Sequence, residues 1–160
     1  MDVTADELAG VVDLFGGLTR EELERALSEV AYRDGGASID DETIDTTLEE
    51  AIEGFVVVEF GEGSAETGSL YVAGPTAFPT TPEHGEDLPY ILDLDRRTID
   101  RETLGTRVTD RLNREIEAAL AAGDAEQARW LVDVSYDVES WAPVTCTDQR
   151  ERLDELVGES

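Results

Sequence analysis

The chain has 160 residues, and 39 Asp and Glu against 12 Arg, with no Lys, give it a formal charge of −27. A chain of this length buries roughly 70% of the surface that it exposes when unfolded, so it needs no metal or disulfide to fold, and its single cysteine, Cys146, cannot form an internal disulfide. No stretch approaches the roughly 18 apolar residues of a membrane span, and the N-terminus lacks the basic and apolar regions of a signal peptide, so we expect a cytoplasmic protein without membrane association.

Two helices with the same start signal are predicted first. Thr4 with Glu7, and Thr19 with Glu22, each form a capping box, in which a hydroxyl and a carboxylate satisfy each other's backbone N–H groups. Apolar side chains recur at helical spacing behind each box. They are Leu8, Val11, Val12 and Phe15 in the first helix and Leu23, Ala26, Leu27, Val30 and Ala31 in the second.

A third helix and a β-hairpin complete the predicted N-terminal unit, residues 1–75. The helix starts near Asp40 and stops at Gly54. Strands are predicted at residues 55–60 and 70–73, because apolar residues there alternate with period two on either side of a Gly-rich turn.

A Pro-rich loop and one further strand are predicted in residues 76–98. The stretch "GPTAFPTTPEHGEDLP" is extended or looped, because proline disfavours both a helix and a central strand. The stretch "YILDLD" that follows is predicted as a strand with Tyr90, Leu92 and Leu94 on one side.

Residues 99–160 are predicted to form a helical C-terminal unit. A long helix runs from about Asp100 to Gly123, a second runs from Asp124 to Pro143, and a short terminal helix follows from about Thr147. The predicted fold class is therefore α+β, with a helical extension after the three helices and hairpin of the first unit.

The order of helix, helix, helix and hairpin resembles the winged helix-turn-helix family. The stretches that carry the resemblance are "DELAGVVDLFGGLTREELERAL" and "ETIDTTLEEAIEGFVVVEF…GSLYVAG". The resemblance implies that the third helix would enter the major groove of DNA and that the hairpin would be a wing against the backbone. Members of the family often dimerise through appended helices, which suggests a homodimer formed by the C-terminal helices.

The third helix carries the wrong charge for that role. From Asp34 through Asp95 the sequence has 16 acids and no Arg or Lys. DNA binding draws most of its affinity from cations that displace counterions, so a scaffold for packing or docking is favoured, and DNA reading by a dimer through the Arg-bearing helix is the alternative. The acids of the third helix are Asp40, Asp41, Glu42, Asp45, Glu49, Glu50 and Glu53.

The acid excess and the missing Lys resemble the cytoplasmic proteins of haloarchaea. At molar salt the Debye length falls to about 3 Å, which removes most of the repulsion between surface carboxylates. The alternative is an acidic mimic of nucleic acid. The acids run through every segment instead of clustering on one side, which favours salt adaptation.

Three arginines of the long helix, Arg107, Arg111 and Arg114, share a face and could contact an anion. Ordinary helix-surface ion pairing is favoured instead, because Asp110 lies four residues before Arg114 and Glu115 lies four residues after Arg111. A second candidate, His84 with three neighbouring carboxylates, could hold a divalent metal. A solvated turn is favoured there, because a metal site would normally bring two His or a His and a Cys together. The carboxylates are Glu83, Glu86 and Asp87.

Three large aromatics of the C-terminal unit, Trp130, Tyr136 and Trp141, could anchor a partner, although core packing is favoured. Exposure of Trp141 beside Pro143 would favour an interface. No catalytic motif, phosphate-binding loop or cysteine pair is present. We therefore predict a non-enzymatic protein–protein docking module with no cofactor and no evident small-molecule ligand.

Overall fold

The computed structural model describes residues 3–33, 35–36, 38–60, 70–82, 85–94 and 96–157, and it confirms an α+β fold that is mostly helical. The chain divides into two compact units, Met1–Ile99 (unit 1) and Asp100–Ser160 (unit 2). In the described ranges the elements are α1 (Ala5–Phe15), β1 (Leu18–Thr19), α2 (Arg20–Arg33), α3 (Asp41–Glu53), β2 (Val57–Phe60), β3 (Leu70–Ala73), α4 (Leu88–Ile91), α5 (Arg101–Ala122), α6 (Ala125–Trp141) and α7 (Thr147–Val157).

Both predicted capping boxes are present in unit 1. The Thr4 N–H donates to Glu7 Oε1 and the Glu7 N–H donates to Thr4 Oγ1, both at 3.1 Å. In the second box, the Thr19 N–H donates to Glu22 Oε1 at 2.9 Å and the Glu22 N–H donates to Thr19 Oγ1 at 3.2 Å. Such caps contribute about 1 kcal/mol each, so local sequence alone defines where these two helices begin.

The three strands form one antiparallel sheet in the order β1–β3–β2. β2 and β3 pair as predicted, with Val57 opposite Ala73, and the turn predicted between them lies outside the described residues. β1 was not predicted. It consists of only Leu18 and Thr19, which pair with β3, and two residues are too few for an alternating pattern, so only the contact with β3 defines this strand.

The strand predicted with Tyr90, Leu92 and Leu94 on one side is wrong. The structure has the single-turn helix α4 at this point, with Pro89 in its first turn, where a missing N–H costs nothing. Leu92 and Leu94 pack partly buried against the core of unit 1, whereas Tyr90 is 90% exposed. No strand of the described sheet pairs with this segment. Its alternating pattern therefore does not produce a strand, because a strand needs a hydrogen-bonded neighbour.

The segment that contains α4 runs along α1 and is fixed to it at two glycines. A Cβ on Gly10 would overlap the backbone of Thr80, and a Cβ on Gly16 would overlap the carbonyl of Arg97. The Arg97 N–H also donates to the Phe15 carbonyl at 2.7 Å. Residues 80–97 therefore belong to unit 1 and place α4 beside α1 and α2.

Unit 2 consists of α5, α6 and α7, each of which contacts the other two. Asp100 and Asp124 cap α5 and α6 by accepting from the Thr103 and Gln127 N–H groups at 3.0 Å. None of the helices in the described part of the chain is long and apolar enough to span a bilayer. The buried helical residues are Leu104, Gly105, Val108, Leu112, Ile116, Ala119, Ala128, Leu131, Val134, Ser135, Val138 and Leu153.

Candidate docking surface

Large apolar side chains that remain in solvent are concentrated in unit 1. Among the residues that the structure describes, the exposed ones are Tyr32 (71%), Phe78 (77%), Tyr90 (90%), Ile91 (37%) and, in unit 2, Tyr136 (56%). An exposed apolar side chain is ordinary when it stands alone, so what matters is which of these residues lie on neighbouring elements.

Tyr32 and the residues of α4 meet that condition. Val30 and Ala31 are buried, so the helical repeat of α2 turns Tyr32 toward solvent. Tyr32 and Leu92 line the same open depression, and Leu92 directly follows Tyr90 and Ile91. We call Tyr32, Tyr90, Ile91 and Leu92 the α2–α4 surface.

The charged groups around the α2–α4 surface are mainly carboxylates. On α2, the depression is lined by Glu21, Glu24, Arg25, Ser28 and Glu29. Of the other two arginines of α2, Arg33 donates to Glu29 at 3.0 Å, and Arg20 pairs with Glu24 at 3.2 Å and also with Asp45 of α3. On the α4 side the exposed charged residues are Glu86, Asp87 and Asp93, and residues 86–94 contain no Arg or Lys. Carboxylates therefore outnumber cations at this surface.

The helix that the winged-helix resemblance would place in DNA exposes many carboxylates and contains no Arg or Lys. All seven acids expected there, from Asp40 to Glu53, are exposed. Thr43 donates to the Asp40 carboxylate through its side chain and through its N–H, the latter at 2.8 Å, and these hydrogen bonds hold the pKa of that carboxyl below its ordinary value. Arg20 of α2 contacts α3 and pairs there with Asp45. This surface would repel phosphate.

The three arginines of the predicted anion site do not form a positive patch. Arg107 and Arg114 line one open depression on α5, but Asp100, Glu102 and Asp110 line it with them. Arg111 contacts Glu115 at 3.2 Å, as the spacing of four residues predicts. The carboxylates at this depression outnumber the guanidinium groups.

The three aromatics of the predicted interface do not share one face of α6. Trp130 and Trp141 lie 11 residues apart, about three full turns, and so share a side of the helix, whereas Tyr136 lies on a different side. Trp130 and Trp141 are half-buried, and the Arg101 guanidinium lies 4.7 Å from the Trp141 ring. Tyr136 is 56% exposed, and the Arg150 guanidinium lies over its ring, 4.1 Å from the ring centroid.

A polar cluster that the sequence did not reveal joins α6 to α7. Arg150 donates to both carboxylate oxygens of Glu139 at 3.0 and 3.1 Å and to Ser135 Oγ at 3.2 Å. Glu139 also accepts from the Cys146 N–H at 2.7 Å, and burial raises the pKa of the Cys146 thiol. These groups satisfy one another, so the cluster holds the helices together and leaves the thiol protonated.

The predicted metal site cannot be described as a whole, because Glu83 and His84 lie outside the described residues. The other two members, Glu86 and Asp87, are exposed. Within the described ranges no group of three His, Cys, Asp or Glu side chains is arranged to hold a metal ion.

Comparison with known proteins gives a family and no relative of known activity. The family model described as "Family of unknown function (DUF7109)" matches residues 6–158, which cover most of both units. No curated protein and no solved structure matches the chain.

Proposed function

The chain belongs to the DUF7109 family, whose function is unknown, and we propose that it is a non-enzymatic module that docks another protein through the α2–α4 surface. The observation that carries this proposal is the exposure of Tyr32 and Tyr90, at 71% and 90%, on adjoining elements of a carboxylate-rich unit.

The energetics of covering such rings favour an interface. An aromatic side chain buries about 150–250 Å² when it is covered, and Tyr is enriched among the residues that dominate interface affinity. Ile91 and Leu92 directly follow Tyr90 and add apolar area, and Leu92 lines the same depression as Tyr32. Grouped apolar area at the surface is a mark of interaction sites on soluble proteins.

We further propose that unit 1 is a winged-helix-like scaffold. Its element order of helix, strand, helix, helix and hairpin supports this, as does the pairing of the first strand with the hairpin. The exposed acids of α3 oppose a DNA-reading role for the scaffold, and the charge of −27 without Lys supports a salt-adapted, haloarchaeal cytoplasm as its setting.

Two other candidate functions each have one observation in their favour. The same element order favours a transcription factor that binds DNA as a dimer, with Arg107 and Arg114 as phosphate contacts. The exposed carboxylates of α3 favour an acidic mimic that binds a nucleic-acid-binding protein. We rank both below docking, because neither gives a role to Tyr32 or Tyr90.

Site-specific crosslinking tests the docking proposal. A photoreactive phenylalanine is placed at position 90, and at position 136 as the matched control on unit 2, and each protein is irradiated in a cell lysate at molar KCl. We expect a discrete protein adduct from position 90 that disappears when Tyr32→Ala is added. Adducts with nucleic acid instead of protein, or no adduct at position 90, would overturn docking through this surface.

A further inference from the structure

We infer that the α2–α4 surface receives a cationic segment of its partner, one that carries Arg beside an apolar side chain. This inference rests on the docking function proposed above and names the chemistry of the partner. The rings, the surrounding charge and the shape of α2 each support it.

The faces of the two tyrosine rings are open. Elsewhere in the described structure the chain covers aromatic rings with its own arginines, since Arg101 lies over Trp141 and Arg150 lies over Tyr136. In the part of the chain that the structure describes, no guanidinium lies over Tyr32 or Tyr90. An Arg from a partner can occupy these faces, and cation–π contacts of this kind favour Arg over other cations.

The charge around the rings is complementary to such a segment. Six carboxylates surround the surface, and the three arginines of α2 that lie near them leave an excess of negative charge. Glu24 and Glu29 are partly neutralised by Arg20 and Arg33, whereas no ion pair is seen for the α4-side carboxylates in the described residues. The six are Glu21, Glu24, Glu29, Glu86, Asp87 and Asp93.

The shape of α2 sets the polarity of the segment. The lining residues of α2 recur every three or four positions, so they form one row along the helix. Glu21 stands at one end of this row and Tyr32 at the other, about 16 Å apart at 1.5 Å per residue. A bound segment would therefore place its Arg and the neighbouring apolar side chain at the Tyr32 end, and a further cation at the Glu21 end, about three helical turns away.

Peptide binding tests this chemistry directly. The probes are three 15-residue synthetic peptides of equal length: one with Leu on one face and Arg elsewhere, one with Glu in place of Arg, and one with Ser in place of Leu. Fluorescence anisotropy is measured with the full-length protein from 0.15 to 3 M KCl. We expect the Arg–Leu peptide to bind more tightly than both others, and its affinity to fall with KCl.

Matched variants locate the binding. Tyr32→Ala with Tyr90→Ala should weaken the Arg–Leu peptide about tenfold or more, Tyr→Phe at both positions should retain binding because the ring faces remain, and Tyr136→Ala should have no effect. The triple variant Glu86→Gln, Asp87→Asn and Asp93→Asn should also weaken binding. The control is a triple variant on α3 that removes the same charge: Glu42→Gln, Glu49→Gln and Glu50→Gln. This control should leave peptide binding unchanged. All these side chains are exposed, and circular dichroism verifies that each variant is folded.

Three results would overturn the inference: equal binding of the Arg–Leu and Glu–Leu peptides, equal weakening by the two charge triples, or no loss with the tyrosine variant. The second would show that net charge alone attracts the peptide. If the Arg–Leu peptide does not bind more tightly than the others while crosslinking at position 90 still captures a protein, the inference of a cationic partner segment is wrong and the docking function stands. If both fail, the docking function is wrong as well.

Discussion

Phe55 is the residue at which the chain leaves α3 and enters β2. Its φ of 62° lies in the left-handed region, although the preceding Gly54 has an ordinary φ of −86°. A left-handed conformation costs a residue with a side chain roughly 1–2 kcal/mol, and complete burial of the Phe55 ring offsets it with about 1.5–3 kcal/mol. The sequence predicted that the helix stops at Gly54, but only the packing shows that Phe55 takes the strained conformation.

Gly74 fits against this turn and should not tolerate a side chain. A Cβ there would overlap the Phe55 carbonyl oxygen and lie 3.0 Å from its carbonyl carbon. Since these are backbone atoms that cannot move aside easily, we expect Gly74→Ala to lower the free energy of unfolding by about 2 kcal/mol. Urea denaturation at fixed KCl measures the change.

Gly54→Ala is the matched control. A Cβ on Gly54 has no neighbour closer than 3.5 Å, so this variant should stay within about 0.5 kcal/mol of wild type. Equal stability of the two alanine variants would contradict the role assigned to Gly74.

At the scale of elements, the starts of the long helices and the hairpin were predictable, whereas β1 and α4 were not. Thr4 with Glu7 and Thr19 with Glu22 act within one helical turn, so their pattern is local. β1 and α4 depend on contacts with β3, α1 and α2, which come from distant parts of the chain. Tyr32 could have been recognised as exposed from the period of α2, whereas Tyr90 could not, because its segment was assigned to a strand.

The link between α6 and α7 gives a prediction about pH. Arg150 donates two hydrogen bonds to Glu139, which lowers the pKa of that carboxyl from its ordinary 4.5. A lowered pKa contributes stability that is complete above the unfolded-state pKa and is lost as pH falls through the folded-state pKa. We therefore expect the difference in unfolding midpoint between wild type and Glu139→Gln to be largest above about pH 5 and to shrink below it.

Tryptophan fluorescence measures that difference, because Trp130 and Trp141 both lie in unit 2. Glu151→Gln on α7 is the control, since this exposed carboxylate has no described ion pair, and its difference from wild type should stay small at every pH. A Glu139→Gln difference that does not change with pH would contradict the coupling.

At the scale of the whole molecule, charge is the dominant property and it is unevenly divided. Unit 1 contains 24 acids and five Arg, whereas unit 2 contains 15 acids and seven Arg. Repulsion among like charges destabilises a compact state, and raising salt from 0.1 to 1 M shortens the Debye length from about 10 to about 3 Å. Unit 1 should therefore gain more from salt than unit 2.

Thermal unfolding in a KCl series tests this difference. Far-UV circular dichroism follows both units, and tryptophan fluorescence follows unit 2 alone, so we expect the midpoint of unit 1 to rise more steeply from 0.1 to 3 M KCl. Coincident midpoints at every concentration would show that the units respond as one and would contradict the prediction.

The sequence by itself determined the α+β class, the helix starts, the hairpin and the acidic exterior of α3, because each follows from residues close together in the chain or from composition. Tertiary structure alone decided the contacts of Thr80 and Arg97 with α1, the pairing of β1 with β3, the Arg150–Glu139 contact and the surroundings of Tyr32. These depend on side chains that are distant in sequence and meet only when the core of each unit forms. The candidate surface belongs to this second group, since α2 and Leu92, the residue that follows α4, line one depression through packing and not through any pattern that either segment carries.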